Sequence, residues 1–169
     1  HTFPLLSVSL GHKGEQSMLK EFVKSNHYKF AEEASDWEEA IRMSCECLEA
    51  DGTVEANYKA DIIECVKKYG PYIVIMPNVA MPHSQECAKG VHKTAIAFMK
   101  LKKPVSFEPG NAQMDARLFF TLASCNPDQH LANMTRLSEL LMNEEVVAAL
   151  LEAETPEDLI KIQENYIEG

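Results

Sequence analysis

Three short apolar runs in the middle of the chain constrain its fold more than any other feature. They are residues 72–76 (YIVIM), 94–101 (TAIAFMKL) and 116–123 (ARLFFTLA). Each run is rich in β-branched or aromatic residues, a composition typical of strands. Because Pro71 and Pro77 bound the first run, we predict that it forms a strand buried on both faces of a sheet.

Helical patterns precede these strands. From Trp37 the chain repeats apolar residues at the spacing of one buried helical face. Asp36 is the predicted N-cap of this helix, and Gly52 lies just past its end. A second amphipathic helix is predicted over residues 54–69 and ends at Gly70.

Helices are also predicted after the strands. They begin after Asn126, and the last of them has Thr155 as its N-cap and Pro156 as its first residue. Strands that lie between two groups of helices favour a sheet covered on both sides. The predicted fold class is therefore α/β (α+β), with a β-sheet flanked by helices on both sides.

The length and composition are those of one globular domain. The chain has 169 residues, of which 46% are hydrophobic, enough for one core but not for two full domains. Residues 1–17 lack periodicity and Met18 resembles a natural start, so we interpret 1–17 as a leader or a cloning remnant and 18–169 as the domain. No apolar run approaches the roughly 20 residues of a membrane span, and we expect a cytoplasmic protein.

Charge and cysteine content argue against several classes of function. The net charge is −10 and basic residues are not clustered on a large scale, so a nucleic-acid surface is not expected. An acidic protein is better suited to a basic protein partner. The five cysteines form no CxxC pair, which argues against a disulfide framework and a zinc finger. We expect them to be reduced and mostly packed in the core. Cys87 and Cys125 could be nucleophiles or metal ligands, but neither has a diagnostic partner spacing, so core packing is favoured for both.

His83 is the first candidate for chemistry. It directly follows Pro82, a few residues after Pro77, and we expect the two prolines to end sheet pairing and turn the chain outward. His83 would then lie on a rigid rim. A neutral imidazole near pH 7 has a lone pair that is nucleophilic toward a phosphoryl group when nearby donors stabilise the phosphoryl oxygens. The alternative is that His83 is an ordinary turn residue.

His130 is the second candidate. Asn126 is a predicted N-cap, Pro127 fits the first helical position, and Gln129 lies three residues after the cap. His130 is therefore expected near a helix N-terminus, where the partial positive charge disfavours imidazolium and attracts anions. A neutral ring there can donate its N–H to a phosphoryl oxygen. The alternative is a partly exposed residue of the first helical turn.

The remaining histidines carry weaker indications. His1 and His12 lie in the predicted leader, and His27 lies in a polar stretch. His92 is expected to be a solvated residue where a strand begins. A metal hydrolase that uses His92 together with the two candidate histidines is a weaker hypothesis, because the chain has no HExxH or comparable ligand spacing.

Several motifs, taken in order, resemble those of a known family. GPYIVIMPNVAMPHSQ is followed by GVHKTAIAFMKLKKPVSF, then by DARLFFTLA, and then by a histidine that opens a helix. This succession resembles the enzyme IIA components of the bacterial sugar phosphotransferase system, mannitol/fructose superfamily. The GPY, AMPH and LKKP elements are most similar to the ascorbate-type enzyme IIA. The resemblance covers almost the whole of the predicted domain.

The resemblance implies a cytosolic phosphoryl carrier with a mixed sheet flanked by helices. His83 matches the family's phosphorylated histidine, which accepts a phosphoryl group from phospho-HPr and passes it to a cysteine of the cognate enzyme IIB. The membrane enzyme IIC is then an indirect partner. His130 matches the second active-site histidine, which helps to hold the phosphoryl group. The resemblance implies no metal and no organic cofactor.

The chain departs from the family pattern beside the active histidine. Many relatives have a small residue and then an arginine there, whereas this chain has Ser84, Gln85 and Glu86. The helix predicted over 54–69 also contains lysines but no arginine. Ser84 is the candidate to replace part of the missing function, by donating its hydroxyl or its main-chain N–H to the phosphoryl group.

Two functions of different kinds remain open. The first is a transport-coupled phosphotransferase component that serves the uptake of L-ascorbate or a related substrate. The second is a regulatory phospho-acceptor that controls a protein partner without transporting sugar. Both predict reversible phosphorylation of His83, and only the first requires onward transfer to an enzyme IIB.

Overall fold

A computed structural model describes residues 17–84 and 89–168 of the chain. Its helices are α1 (Met18–Lys24), α2 (Trp37–Ala50), α3 (Asn57–Tyr69), α4 (Pro127–Leu141), α5 (Glu144–Glu152) and α6 (Pro156–Ile162). Its strands are β1 (Tyr28–Ala31), β2 (Val74–Met76), β3 (Asn78–Ala80), β4 (Ala95–Ser106) and β5 (Asp115–Ala123). Ala112–Met114 form a 3₁₀ turn, and Gln163–Glu168 continue α6 as a π-helix. None of these helices is long and apolar enough to cross a membrane.

The strands form one mixed sheet in the order β1-β4-β5-β3-β2. β4 and β5 are antiparallel, β1 is parallel to β4, and β3 is parallel to β5. The carboxyl ends of β3 and β5 therefore lie at the same edge of the sheet as the amino ends of β1 and β4. The mixed sheet that the family resemblance implies is confirmed.

Helices cover both faces of the sheet, as the sequence predicts. α2 and α3 pack on one face, where Phe119 of β5 is fully buried. The other helices pack on the opposite face around Phe98 and Phe120, whose ring centroids are 5.4 Å apart. β5 is the central strand and contributes to both cores, which explains why it needs apolar side chains on both faces.

The first apolar run does not form a buried strand, so that prediction is wrong. β2 comprises only three residues at the edge of the sheet, and the Ile75 side chain is 42% exposed. The interior position belongs to β3, in which Val79 and Ala80 are fully buried. A run of apolar residues indicates a strand but not its neighbours, because those depend on packing against distant parts of the chain.

Pro77 and Pro82 have different structural roles. The prediction that sheet pairing ends at Pro77 is wrong. The chain re-enters the sheet after Pro77, because Asn78 adopts a left-handed φ of 72° and reverses its direction. Pro82 does follow the last residues of the strand, although its carbonyl oxygen still accepts the Leu122 N–H at 2.9 Å. His83 therefore comes immediately after the last sheet contact of this segment.

The first long helix follows its sequence signals more closely than the second. The side chain of Asp36 accepts the Glu39 N–H at 2.8 Å, which confirms the predicted N-cap of α2. α3 begins at Asn57 and not at Val54, because Val54 forms a β-bridge with Val91. The pattern of apolar residues cannot distinguish this bridge from an extra helical turn.

Two elements near the start of the described region have no counterpart in the sequence prediction. α1 buries Met18, Leu19 and Phe22, and β1 pairs with β4 along the edge of the sheet. Both elements are too short to show a helical or strand periodicity in the sequence. Apart from Ser17, the predicted leader lies outside the described residues, and its nature stays a prediction.

Candidate functional site

His83 and His130 meet at the end of the sheet where the carboxyl ends of β3 and β5 lie. His83 follows shortly after β3, and His130 lies in the first turn of α4, which follows β5. Because β3 and β5 are adjacent and parallel, both segments leave the sheet at the same edge. The centroids of the two imidazole rings are 5.3 Å apart. The fold thus joins two side chains that the sequence separates by two strands.

The main chain holds the His83 side chain in one tautomer. The residue is only 8% exposed, and its Nδ1 lies 2.5 Å from the carbonyl oxygen of Met81. A carbonyl oxygen only accepts hydrogen bonds, so Nδ1 carries the proton of the neutral ring. The lone pair is therefore on Nε2, which makes Nε2 the nucleophilic atom.

The surroundings keep both imidazoles neutral. Burial lowers the pKa of His83 below its ordinary value of 6.5, and the neighbouring His130 lowers it as well, against the opposing effect of the bond to Met81. Burial also lowers the pKa of His130. Desolvation and a like charge both disfavour the imidazolium form. Near pH 7 the His83 ring is therefore in the state that a nucleophile requires.

The start of α4 orients His130. The side chain of Asn126 accepts the Gln129 N–H at 2.9 Å, so the predicted N-cap is confirmed. The Oγ of Ser124 lies 3.1 Å from Nδ1 of His130. If this hydroxyl donates to Nδ1, the proton of the neutral ring lies on Nε2, where it can be donated to an anion. The positive end of the helix dipole favours an anion at the same place.

Two tyrosines hold the peptide unit between His83 and Ser84. The Tyr72 hydroxyl donates to the carbonyl oxygen of His83, and the two rings pack edge to face with centroids 5.1 Å apart. The Tyr58 hydroxyl donates to the Leu122 carbonyl at 2.5 Å, and this phenol also interacts with the main chain of Ser84. Sequence reasoning missed both tyrosines. The GPY motif was the available signal for Tyr72, whereas Tyr58 is an ordinary apolar position of an amphipathic helix.

Ser84 lies beside His83, but its donors have protein partners in this structure. Its Oγ is 3.6 Å from the Sγ of Cys65, within hydrogen-bonding range for sulfur. Its main chain interacts with the Tyr58 phenol. A phosphoryl group on His83 would therefore compete with these contacts for Ser84.

Two other histidines have partners outside this pair. His92 is exposed, as predicted, and its Nε2 lies 2.8 Å from a carboxylate oxygen of Glu55. His27 is buried, with its Nε2 2.5 Å from a carboxylate oxygen of Asp51, which its polar sequence context did not indicate. Burial raises the pKa of Asp51, but hydrogen bonds from Thr53 and His27 outweigh that effect and lower the pKa to about 2.

The cysteines follow the packing prediction in part. Cys45 and Cys65 are buried, whereas Cys125 is exposed, so core packing was predicted wrongly for Cys125. It lies in the connection between β5 and α4, and such connections run over the surface. Cys87 lies outside the described residues. Within residues 17–84 and 89–168, no three His, Cys, Asp or Glu side chains are grouped to hold a metal ion.

Comparison with known proteins gives matches that cover most of the chain. The family model described as phosphoenolpyruvate-dependent sugar phosphotransferase system, EIIA 2, matches residues 21–166. The mannitol-specific cryptic phosphotransferase enzyme IIA component of Escherichia coli (strain K12) is 33% identical over 145 residues, which are 85% of this chain and 96% of that protein. The ascorbate-specific PTS system EIIA component of the same strain is 31% identical over 131 residues, or 77% of this chain and 84% of that protein.

A solved complex shows the same fold. It contains mannitol enzyme IIA and phosphorylated enzyme IIB from Escherichia coli, and the match has a TM-score of 0.71 at 25% identity. The match covers 82% of this chain and 94% of the solved one. The arrangement of sheet and helices described above is thus shared with an enzyme IIA.

Proposed function

Because the chain belongs to the EIIA 2 family of the phosphoenolpyruvate-dependent sugar phosphotransferase system, we propose that it is a phosphoryl carrier whose acceptor is His83. The observation that carries this proposal is the state of the His83 ring. It is neutral, its proton is held on Nδ1 by a carbonyl oxygen, and its nucleophilic Nε2 is left without a proton. A second neutral imidazole, that of His130, lies 5.3 Å away between centroids.

The proposed reaction has two steps. In the first, Nε2 of His83 attacks the phosphorus of phospho-HPr; a phosphorus–nitrogen bond forms, and the bond to the donor atom of HPr breaks with its electron pair returning to that atom. In the second, a cysteine thiolate of the cognate enzyme IIB attacks the phosphorus and Nε2 recovers its electron pair. The proton stays on Nδ1 throughout, and Nδ1–H donates to the Met81 carbonyl oxygen.

His130 is proposed to stabilise the phosphoryl group without reacting with it. When the Ser124 hydroxyl donates to Nδ1, which lies 3.1 Å away, the ring presents an N–H on Nε2 to a phosphoryl oxygen. A neutral donor suits a reversible carrier, because it stabilises the transferring oxygens without retaining the phosphoryl group as a cluster of cations would.

The proposed partners are phospho-HPr and a cognate enzyme IIB, with the membrane enzyme IIC as an indirect partner. The solved complex of a related mannitol enzyme IIA with phosphorylated enzyme IIB supports the second of these. The proposed transported substrate is L-ascorbate or a related compound, supported by the similarity to the ascorbate-specific component. Transfer assays with purified ascorbate-type and mannitol-type enzyme IIB test this choice, and faster transfer to the mannitol type would overturn it.

The first test is phosphorylation of the intact protein. After incubation with phosphoenolpyruvate, enzyme I and HPr, intact-mass analysis should show a gain of one acid-labile phosphoryl group in the wild type and none in His83→Ala. His92→Ala is the matched control, because this exposed histidine has its own partner in Glu55 and should accept the group normally. No gain in the wild type with active upstream proteins would contradict the proposal.

Ser84 is proposed as a supporting donor, and its hydroxyl is tested separately. If this hydroxyl leaves Cys65 to bind the phosphoryl group, Ser84→Ala should slow phosphoryl acceptance by roughly fivefold, the value of one hydrogen bond. Stopped reactions resolved by intact mass give the rate. An unchanged rate would exclude the hydroxyl and leave only the main-chain N–H.

A further inference from the structure

We propose that Tyr58 and Tyr72 act together as positioning residues, clamping the peptide unit that joins His83 to Ser84 and so setting the orientation of the His83 imidazole. This proposal rests on the proposed function of His83. It concerns the orientation of the acceptor ring before transfer, and neither tyrosine is required to touch the phosphoryl group.

The clamp acts on both polar ends of a single peptide group. The carbonyl oxygen of His83 accepts the Tyr72 hydroxyl, and the main chain of Ser84, whose N–H is the other end of the unit, interacts with the Tyr58 phenol. These two atoms belong to the same planar unit, whose only soft rotations are the adjacent ψ and φ angles. Fixing both ends therefore removes the freedom of the backbone that carries the His83 side chain.

The segment around Tyr72 also supports the hydrogen bond from the His83 ring to Met81. The Ile73 carbonyl accepts the Met81 N–H at 2.7 Å, and the Met81 carbonyl accepts the proton of His83 Nδ1. The Tyr72 ring in addition packs edge to face with the imidazole. Tyr72 and Ile73 thus contact the carbonyl and the ring of His83 and, through Met81, support its tautomer.

Both tyrosines are themselves anchored. Tyr58 is 3% exposed on α3, and its hydroxyl is tied to Leu122 of the central strand. Tyr72 follows the turn at Gly70, and its own N–H bonds to the Gly70 carbonyl at 2.7 Å. Burial raises the pKa of each phenol, so both hydroxyls keep their protons and remain donors at neutral pH.

Loss of either hydroxyl should release the peptide unit while leaving a ring in place. The imidazole would then leave the Met81 carbonyl for part of the time, and the proton would be shared between Nδ1 and Nε2. Only the Nδ1–H form has its lone pair on Nε2, the atom proposed to accept the phosphoryl group. The maximal transfer rate should fall, whereas docking of the phosphorylated donor should not change.

The primary experiment observes the unphosphorylated protein. Long-range ¹H–¹⁵N spectra of the imidazoles should show His83 as a single Nδ1–H tautomer in the wild type and as a tautomer mixture in Tyr72→Phe and in Tyr58→Phe. Tyr28→Phe, the same change in β1 across the sheet, is the matched control and should give the wild-type spectrum. Unchanged His83 signals in both clamp variants would overturn the proposal.

The second experiment measures transfer from phospho-HPr. Each clamp variant should lose roughly five- to tenfold in the rate at saturating phospho-HPr with an unchanged KM, whereas Tyr28→Phe should match the wild type. A raised KM with an unchanged maximal rate would assign the tyrosines to docking and overturn the proposal. Denaturant unfolding of the same variants establishes that each is folded under the assay conditions.

The two experiments separate the proposals. If the wild type accepts no phosphoryl group, the proposed function fails, while the tautomer spectra still decide whether the two tyrosines position His83. If the wild type is phosphorylated and the clamp variants retain a single tautomer and the wild-type rate, the proposed function stands and the clamp is refuted.

Discussion

The protonation state of His83 links the chemistry of the site to the stability of the fold. Burial and the nearby His130 lower the pKa of this imidazole in the folded protein, whereas the unfolded chain has an ordinary histidine. The unfolded state therefore binds the proton more readily. The stability that results from keeping the ring neutral is present above the ordinary pKa of 6.5 and is lost as the pH falls through the folded value.

This linkage predicts a specific pH dependence. The free energy of unfolding should fall more steeply for the wild type than for His83→Gln between about pH 7.5 and pH 5, because only the wild type has to desolvate this imidazole. Urea titrations at several pH values measure the difference. His92→Gln controls for the removal of an imidazole from an exposed position, and equal slopes for wild type and His83→Gln would contradict the expectation.

The lowered pKa of His83 also affects the expected activity. Phosphoryl acceptance should lose less than half of its rate at about pH 6.5, where a free imidazole is half protonated, and the midpoint of its decline should lie at lower pH. The pH profile of the acceptance rate under saturating phospho-HPr measures this. A midpoint at or above the ordinary histidine pKa would mean that burial does not protect the neutral ring.

At the scale of the elements, the ends of helices and turns place the site. α4 begins at a cap whose side chain bonds the third residue of the helix, and His130 comes next in that turn. α5 begins in the same way, with the Asn143 side chain accepting the Glu145 and Val146 N–H groups at 3.1 and 3.2 Å. Two asparagine caps, one at the site and one away from it, make a controlled comparison possible.

Removal of these caps should have equal effects on stability and unequal effects on transfer. Asn126→Ala and Asn143→Ala should each lower the free energy of unfolding by about 1 kcal/mol. Only Asn126→Ala should also slow phosphoryl transfer, by roughly fivefold, because the first turn of α4 orients His130. Urea unfolding and transfer kinetics test this, and equal transfer rates for the two variants would contradict it.

A glycine in the connection that precedes β4 is required for two separate reasons. Gly90 has a φ of +86°, and a Cβ there would lie 2.7 Å from the Asn57 Oδ1. The Asn57 side chain is not free to move without cost, because its amide donates to the Lys89 carbonyl at 3.0 Å. Gly110 has a similar φ of +81° but no neighbour within 4 Å of the added atom.

Substitution of these two glycines separates backbone strain from steric contact. Gly110→Ala should cost about 1–2 kcal/mol for the left-handed conformation alone, and Gly90→Ala should cost about 1 kcal/mol more because the Asn57 hydrogen bond is disturbed. Denaturant unfolding measures both. Equal losses of stability would show that Asn57 moves aside freely.

For the molecule as a whole, the charge balance is the property that bears on its partners. The net charge of −10 favours approach to a basic surface and disfavours approach to an acidic one, and salt screens both effects over a distance of about 8–10 Å. The two cores on either side of the sheet stabilise the fold, while the surface charge acts at longer range. Stability and partner attraction thus depend on different parts of the molecule.

Salt should therefore slow the encounter with phospho-HPr. The second-order rate of phosphoryl transfer should fall as sodium chloride is raised from about 0.05 to about 0.5 M, because attraction to a basic carrier is screened. Sucrose at matched osmolarity serves as the uncharged control. A rate that does not change with salt would show that the acidic balance serves solubility and does not contribute to docking.

Much of what is local in this protein follows from its sequence alone. The caps at Asp36, Asn126 and Thr155 each involve a side chain and a main-chain N–H three residues away, so a short stretch of chain contains both partners. The Pro82–His83 pair at the end of β3 and the motifs that carry the family resemblance are also contained in short stretches of sequence. Helices on both sides of a sheet follow from the order of these signals.

Only the tertiary structure decided which distant segments become neighbours. The places of β2 and β3 in the sheet, the approach of His130 to His83, the burial of His27 against Asp51 and the clamp on the peptide after His83 all join residues far apart in the chain. Each depends on the sum of many packing contacts around β5. No short sequence pattern indicates any one of these contacts. Hydrogen bonds between close residues are thus determined by the sequence pattern, whereas the site itself requires the completed sheet.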